Sequence, residues 1–126
     1  MGMVYADLIL SNPAEGIEIK AHALVDRGSL LMCIPEHLAI QLKLEELEKR
    51  EVVLANGHRQ LCPYVGPLEI RFKNRRCFAG ALVLGNEPLL GAVPMEDMDV
   101  LVHPALRALI VNPESPHISV APVKST

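Results

Sequence analysis

Short apolar runs of strand length, separated by clusters of turn-forming residues, are the feature that most constrains how this chain can fold. Between Ile17 and Val25 apolar and polar side chains alternate, as they do in a half-buried strand. Asn56-Gly57 separates two such runs and predicts a hairpin with a type I′ turn, in which both residues have positive φ. The pattern predicts about seven or eight short strands in a mainly-β barrel or sandwich-like domain. The candidate segments from which that approximate count is drawn are residues 3–10, 17–25, 30–34, 51–54, 59–62, 68–72, 75–84, 100–103 and 108–111, with Lys73-Asn74 as a second hairpin turn.

Helical signals are weaker than strand signals in this sequence. Pro35 suits the first position of a helix whose apolar face includes Leu38 and Leu42, with Ile40 as a further candidate. The charged residues 44–50 are then predicted as the end of that helix or as a loop. A second short helix is predicted over residues 95–98, because acidic side chains lie near its N-terminus.

Length and composition favour one domain with an aliphatic core. The chain has 126 residues, of which 50% are hydrophobic but only 3% are aromatic, so branched aliphatic side chains must fill the core. Beyond Asn112 the sequence is rich in Pro and Ser and shows little periodicity. We therefore expect residues 1–112 to form the domain and residues 113–126 to form a C-terminal tail.

Charge, cysteine spacing and hydropathy argue against several classes of protein. The net charge is −3, whereas a dedicated nucleic-acid-binding domain is more often basic, so no nucleic-acid partner is expected. Cys33, Cys62 and Cys77 are odd in number and widely spaced, which fits a reducing compartment better than a disulfide framework or a zinc site. We find neither a signal-peptide pattern nor an apolar stretch of membrane length, so we expect a cytoplasmic protein without a membrane partner.

The polar tetrad Asp26-Arg27-Gly28-Ser29 lies between two apolar runs and is the first candidate site. Its glycine permits a tight turn and the close approach of another backbone. Taken alone, these residues favour a structural role, in which Asp26 is a turn-forming residue at the end of a strand.

No metal ion or cofactor is expected from the remaining motifs. Glu96, Asp97 and Asp99 form an acidic group that a divalent cation could use, but a helix start and a loop explain the group without a metal. The five histidines lack metal-ligand spacing, and no nucleophile elbow, P-loop or dinucleotide-binding glycine pattern occurs.

Three motifs together resemble the retropepsin-like aspartic proteases. Residues 23–29, Ala-Leu-Val-Asp-Arg-Gly-Ser, resemble the active-site motif of that family, in which two apolar residues precede Asp-Thr/Ser-Gly. Residues 53–57, Val-Leu-Ala-Asn-Gly, resemble the family's flap hairpin, and Leu89-Leu90-Gly91 resembles its second signature. The order and spacing agree over roughly residues 4–112. Residues 89–99 are similar, more narrowly, to a group of short bacterial members.

The resemblance implies a mainly-β retropepsin-like acid-protease barrel with one or two short helices and a site completed by a homodimer. Each chain would supply Asp26, and the two carboxylates would share one proton. Ala55, Asn56 and Gly57 would form the flap over an extended peptide or protein substrate. Leu89-Leu90-Gly91 would pack beside the active-site loop.

Arg27 departs from the family pattern, which has Thr or Ser directly after the aspartate, whereas Ser29 lies within family variation. Arginine has five donors, no acceptor and a permanent charge, so it cannot replace a hydroxyl that both donates and accepts. Unless they point away from the dimer axis, two such arginines would repel each other, and pairing with Asp26 would remove the shared proton. The sequence therefore leaves open an aspartic endopeptidase impaired by Arg27 and an inactive dimer that grips extended peptides. An unrelated, monomeric β-barrel binding domain is a third hypothesis.

Overall fold

Six strands close into a barrel in the computed structural model, which describes residues 2–125. Within those residues, no helix has both the length and the apolar character needed to cross a bilayer. In chain order the elements are β1 (Val4–Asn12), β2 (Ile17–Val25), β3 (Met32–Ile34), α1 (Glu36–Gln41), β4 (Glu45–Val53), β5 (Arg59–Phe72), β6 (Arg75–Val83), β7 (Leu89–Leu90), α2 (Ala92–Met98), β8 (Val100–His103) and β9 (Ala108–Val111).

The barrel closes because β1 pairs with two neighbours. It runs antiparallel to β2 along its whole length, and its residues 9–11 also pair with β5. The ring continues from β2 through β7, β3 and β6 back to β5. Among the strands of residues 2–125, β4 pairs with β5 alone, so it extends the sheet outside the ring.

The interior of the barrel is aliphatic, as the composition predicted. Leu8 and Leu10 of β1 and Ala21 and Ala23 of β2 point inwards because alternate residues of a strand share a face. Each fully buried leucine contributes roughly 1.5–3 kcal/mol relative to an exposed one. The other large, fully buried apolar side chains are Met32, Ile34, Leu42, Leu68, Ile70, Leu90 and Met98.

The short strand β7 fixes the position of the polar tetrad. Leu89 and Leu90 pair in parallel with Leu24 and Val25 of β2, and Leu89 also lies opposite Cys33 of β3. β7 therefore separates the end of β2 from the start of β3. The chain between those two strands has to loop over β7 at one end of the barrel.

The chain beyond β9 is tied to the barrel through Asp99, which ends α2 in the left-handed conformation with φ 56°. The Asp99 carboxylate accepts hydrogen bonds from the Ser115 hydroxyl, the Asn112 amide and the Val120 backbone N–H. It also lies 3.7 Å from Nη2 of the buried Arg75, which donates to the carbonyl of Ser115. These donors, with the Ser115 hydroxyl first, lower the pKa of Asp99 to about 2. Ser115 is buried, although it lies within the predicted tail.

Each predicted strand overlaps a strand of the structure, although residues 30–31 lie outside β3 and the segments 59–62 and 68–72 belong to one strand, β5. The prediction for residues 44–50, a helix end or a loop, is wrong, because residues 45–50 form most of β4. They pair with β5 as the outermost strand of the sheet, where both faces are wet, so no apolar alternation marks them.

The two helices also differ in detail from the prediction. Leu38 and Leu42 are buried, but Ile40 is 67% exposed, because it lies on the opposite face of α1 from that pair. The second helix begins at Ala92 rather than at residue 95. Its first four residues are apolar, and Pro94 and Met95 among them are buried, so the acidic residues that suggested a start lie in its second half.

Candidate active site

Asp26 follows the last residue of β2 and opens a turn whose own groups hold its carboxylate. Asp26 Oδ1 accepts the backbone N–H of Gly28 at 2.9 Å, and Oδ2 accepts the hydroxyl of Ser29 at 3.2 Å. The backbone N–H of Asp26 donates to the carbonyl of Leu90 at 3.0 Å. Asp26 is half-buried and forms no salt bridge within residues 2–125. Neutral donors alone therefore orient this carboxylate.

The segment after β7 is hydrogen-bonded to the Asp26 turn and holds it in place. The N–H groups of Ala92 and Val93 donate to the carbonyls of Ser29 and Leu30 at 2.8 and 2.9 Å. At Gly91 a Cβ atom would lie 2.3 Å from the carbonyl oxygen of Leu31, which is far inside contact distance. Glycine is thus required here by the close approach of two backbones. The second signature, residues 89–91, packs against the loop of the first.

The tip of the β4–β5 hairpin is the three-residue loop Ala55-Asn56-Gly57. The Leu54 N–H donates to the carbonyl of His58, and the Gly57 N–H donates to the carbonyl of Leu54, both at 2.8 Å. Of these loop residues only Gly57 has positive φ, at 87°, so the predicted type I′ turn is wrong. A type I turn followed by a left-handed glycine is the usual three-residue solution. Asn56 acts through its side chain instead, since its Oδ1 accepts the His58 N–H at 2.9 Å.

A cleft of about 520 Å³ separates the Asp26 turn from this hairpin. Residues 28–31 form one wall, residues 50–55 form the other, and the lining is completed by Cys33 of β3, Leu82 of β6 and Leu84, which follows that strand. The lining is mainly aliphatic, and Gly28 and Ser29, the donors to Asp26, lie at its edge. The arrangement can hold an extended chain with apolar side chains beside a carboxylate.

Cys33 lines the same cleft but offers no thiol chemistry there. Burial first, and then the neighbouring Cys62 and Asp26, raises the pKa of its thiol. Burial likewise raises the pKa of Cys77 to about 12. Thiols held neutral are poor nucleophiles, so both cysteines act as small apolar side chains.

Arg27 is exposed in the turn directly after Asp26. In the described part of a single chain, its guanidinium forms no salt bridge, and so it does not pair with Asp26. The pairing that would hold the aspartate ionised is therefore not built into the monomer. A conflict between two Arg27 side chains could arise only when two chains meet.

The acidic residues of α2 do not converge. Glu96 and Asp97 are exposed, whereas Asp99 turns inwards to the donors already described. Residues 2–125 contain no group of three His, Cys, Asp or Glu side chains arranged to hold a metal ion.

Sequence reasoning missed the residues that shape the cleft. Leu30, Leu31, Val52, Leu82 and Leu84 come from three separate segments and meet only because the barrel closes. Their apolar character was evident, but their convergence had no local signal.

Gly80 was also missed as a site-shaping residue. A Cβ atom there would lie 2.1 Å from the ring of Tyr64, so the glycine makes room for that ring. The Tyr64 ring in turn carries the guanidinium of Arg50 at 3.8 Å from its centroid, at one end of the cleft.

A closed barrel with an aspartate turn at one end, supported by a glycine segment and facing a hairpin, is the retropepsin-like fold. The solution structure of the simian foamy virus (mac) protease is similar to this chain, with a TM-score of 0.53 and 16% sequence identity over 72% of this chain and 90% of that one. At that identity the likeness shows the fold alone.

Other comparisons add little to this finding. A Legionella pneumophila protein of unknown function aligns with a TM-score of 0.46 and 15% identity over 83% of this chain and 95% of its own, and that likeness carries no argument. No protein-family model matches the chain, and no curated protein sequence matches it.

Proposed function

We propose that this chain is an aspartic endopeptidase of retropepsin type that acts as a homodimer, with Asp26 as its catalytic residue. The observation that carries the proposal is the environment of that carboxylate, which accepts bonds from Gly28 and Ser29 beside an aliphatic cleft. A carboxylate held by its own turn beside a cleft is placed to contact a bound substrate and a water molecule, which general acid–base catalysis needs. The similar fold of the foamy virus protease agrees with this reaction class.

Each chain supplies one aspartate, so the proposed site needs Asp26 from two chains. Two carboxylates a few ångströms apart cannot both ionise easily and therefore share one proton. The ionised carboxylate takes a proton from water as the water attacks the peptide carbonyl, and the protonated one donates to the carbonyl oxygen. A proton then passes to the leaving amine as the C–N bond breaks. The titration belongs to the pair and not to either residue.

The substrate in this proposal is an extended peptide or protein segment. The β4–β5 hairpin acts as the flap and pairs with the main chain of the substrate. The residues at its tip, Ala55, Asn56 and Gly57, close over the substrate and exclude water. Apolar side chains of the substrate enter the cleft between Leu31 and Leu82. The mechanism uses no cofactor, and we place the reaction in the cytoplasm.

A second candidate function is favoured by Arg27. If the two arginines meet at the dimer axis, the dimer keeps its cleft but loses the arrangement in which one proton is shared. The protein would then be an inactive dimer that grips extended peptides. The exposed position of Arg27 beside Asp26 is the observation behind this alternative.

Cleavage of a mixed peptide library from about pH 3 to 7, the range over which a carboxylate pair titrates, tests both functions. The unaltered chain is compared with Asp26→Asn and with Arg27→Thr. If the unaltered chain cuts and Asp26→Asn does not, the endopeptidase proposal stands. If only Arg27→Thr cuts, the scaffold is a protease silenced at one position. If none of the three cuts, the binding function takes its place.

A further inference from the structure

Strand β2 has an edge without a neighbouring strand. Its only pairing on the side away from β1 is with β7, and that pairing involves Leu24 and Val25 alone. Over residues 17–23 no other strand of the described chain lies against that side. We call this stretch the β2 edge.

The direction of the hydrogen-bonding groups on the β2 edge follows from its last residues. The N–H of Leu24 points away from β1, because it donates to the carbonyl of Pro88 at 2.9 Å. Groups on an antiparallel strand alternate in direction, so Glu18, Lys20 and His22 also direct their N–H and C=O groups away from β1. These three residues are exposed, and their backbone groups can accept an added strand.

The side chains beside the β2 edge leave an excess of positive charge. Glu18 is bound by Arg71, whereas the carboxylate of Asp7, which lines the same surface, lies 2.9 Å from Nδ1 of His22, a residue that the net charge of −3 counts as neutral. Lys20 and Lys73 have no salt-bridge partner within residues 2–125. Both lysines line a concavity of about 680 Å³ on the outer face of β1 and β2. This excess is local, since the chain as a whole carries −3.

The opposite face of the β2 edge is apolar. Ile17 and Ile19 are partly buried and pack against the main core, and Ala21, further along the same face of the strand, is buried. A strand added here would place alternate side chains over these residues and extend the core. The edge therefore presents an apolar row on one face and, on the other, a polar row with Lys20 at its centre.

We propose that the β2 edge binds an extended partner segment in which acidic and aliphatic residues alternate. Its aliphatic side chains cover Ile17 and Ile19, and one of its carboxylates lies beside Lys20. Main-chain pairing supplies affinity, and the alternation supplies specificity. This surface is separate from the Asp26 cleft, so the inference does not rest on the proposed protease activity.

A second copy of this chain fits the same edge less well. Antiparallel pairing centred on Lys20 would set two lysines opposite each other, which is unfavourable. Pairing centred on Ile19 would place Glu18 opposite Lys20 of the second copy. That ion pair could form only if Glu18 gave up its salt bridge with Arg71. The lysine thus disfavours self-pairing and favours an acidic strand.

The test uses a capped, fluorescent peptide of about six residues in which valine and glutamate alternate. Fluorescence anisotropy at low salt should show binding that weakens as salt is added. A control peptide of the same length, in which valine and lysine alternate, should not bind. Two further peptides carry N-methyl groups on either the glutamates or the valines. The backbone N–H groups of alternate residues in a strand point to the same side, so only one of the two methylated sets faces β2. One methylated peptide should therefore bind and the other should not. Binding of both would overturn strand addition.

Variants of the protein locate the site. Lys20→Glu should weaken binding about tenfold, because it replaces an opposite-charge pair by a like-charge pair. The matched control is Lys49→Glu, which changes an exposed lysine on β4, far along the sheet from β2. This control should leave the affinity for the peptide unchanged. Circular dichroism checks that both variants are folded. Equal affinity of the Lys20→Glu variant and the unaltered protein would refute the proposal. Self-association of the unaltered protein that Lys20→Glu abolishes would assign the edge to a second copy instead.

Discussion

Two aspartates at different places in this barrel have opposite surroundings. Asp99 receives three hydrogen bonds and lies near the buried Arg75, and these contacts lower its pKa to about 2. Asp26 receives two hydrogen bonds from its own turn, from Gly28 and Ser29, and no salt bridge among residues 2–125. Asp99 has its donors supplied by the chain after β9, whereas the donors of Asp26 lie within three residues of it.

This difference separates a structural carboxylate from one that is available for chemistry. Asp99 stays ionised at any pH above about 3, so it can anchor residues 112–120 but cannot exchange a proton during a reaction. Asp26 is oriented without being neutralised, and it lies beside a cleft. Its bonds to residues 112, 115 and 120 mark Asp99 as an anchor, and its position beside the cleft makes Asp26 the better catalytic candidate.

Exchanging each carboxylate for an amide should produce opposite results. Asp26→Asn should lower peptide cleavage on the order of 10³-fold, because an amide cannot act as acid or base, with little change in melting temperature. Asp99→Asn should lower the melting temperature, since Arg75 loses its counter-charge, yet leave cleavage per folded molecule unchanged. Cleavage assays and thermal melts of both variants decide this. Equal activity losses in the two would erase the proposed distinction.

Gly91→Ala should damage the support of Asp26 directly. The new methyl group would lie 2.3 Å from the carbonyl oxygen of Leu31 and 2.8 Å from that of Ser29. Neither backbone atom can move without displacing the turn, so we expect a loss of about 3 kcal/mol in the free energy of unfolding. Urea denaturation measures this loss.

The matched control for that substitution is Gly16→Ala. Gly16 has φ 69°, and a Cβ there would meet nothing within 4 Å. It should therefore cost only about 1 kcal/mol, from backbone conformation alone. Equal losses for the two glycines would show that the contact between residue 91 and the loop is unimportant for stability.

Arg27→Thr should raise cleavage at least about tenfold, which is the third effect in size. The change removes a charge beside Asp26 and supplies the hydroxyl that the family has at this position. Arg27→Gln removes the charge without adding a hydroxyl and separates the two causes. If neither variant is more active than the unaltered chain, Arg27 does not limit the reaction.

Much of the fold was predictable because its signals are local. The alternation from Ile17 to Val25 and the turns at residues 56–57 and 73–74 mark β2 and two hairpins without reference to the rest of the chain. β4 was not predictable as a strand, since an outermost strand needs only backbone pairing and carries charged side chains on both faces.

The candidate site was predictable as a set of motifs but not as a cleft. Asp26 and the Leu89-Leu90-Gly91 segment were identified separately, and the fit of Gly91 against Leu31 explains why both are needed. The aliphatic lining depends on barrel closure, a long-range property without local pattern. The division of the chain at residue 112 stays a prediction, although Ser115 beyond it is buried and bonded to Asp99.

The smallest expected effect concerns the pH dependence that Asp99 gives the fold. Its pKa is lower in the folded chain, about 2, than the ordinary 3.8, so its stabilising contribution is present above about pH 4 and is lost as the pH falls towards 2. Ser115→Ala removes the largest cause of that lowering. The folded pKa should then rise towards 3.8, so the variant should be less stable than the unaltered chain at pH 6, and the difference should shrink as both approach pH 2. Urea denaturation at several pH values measures it, with Asp99→Asn as the control that lacks this component altogether. A difference that is constant from pH 6 to pH 2 would mean that the Ser115 hydroxyl stabilises the fold without acting on the charge of Asp99.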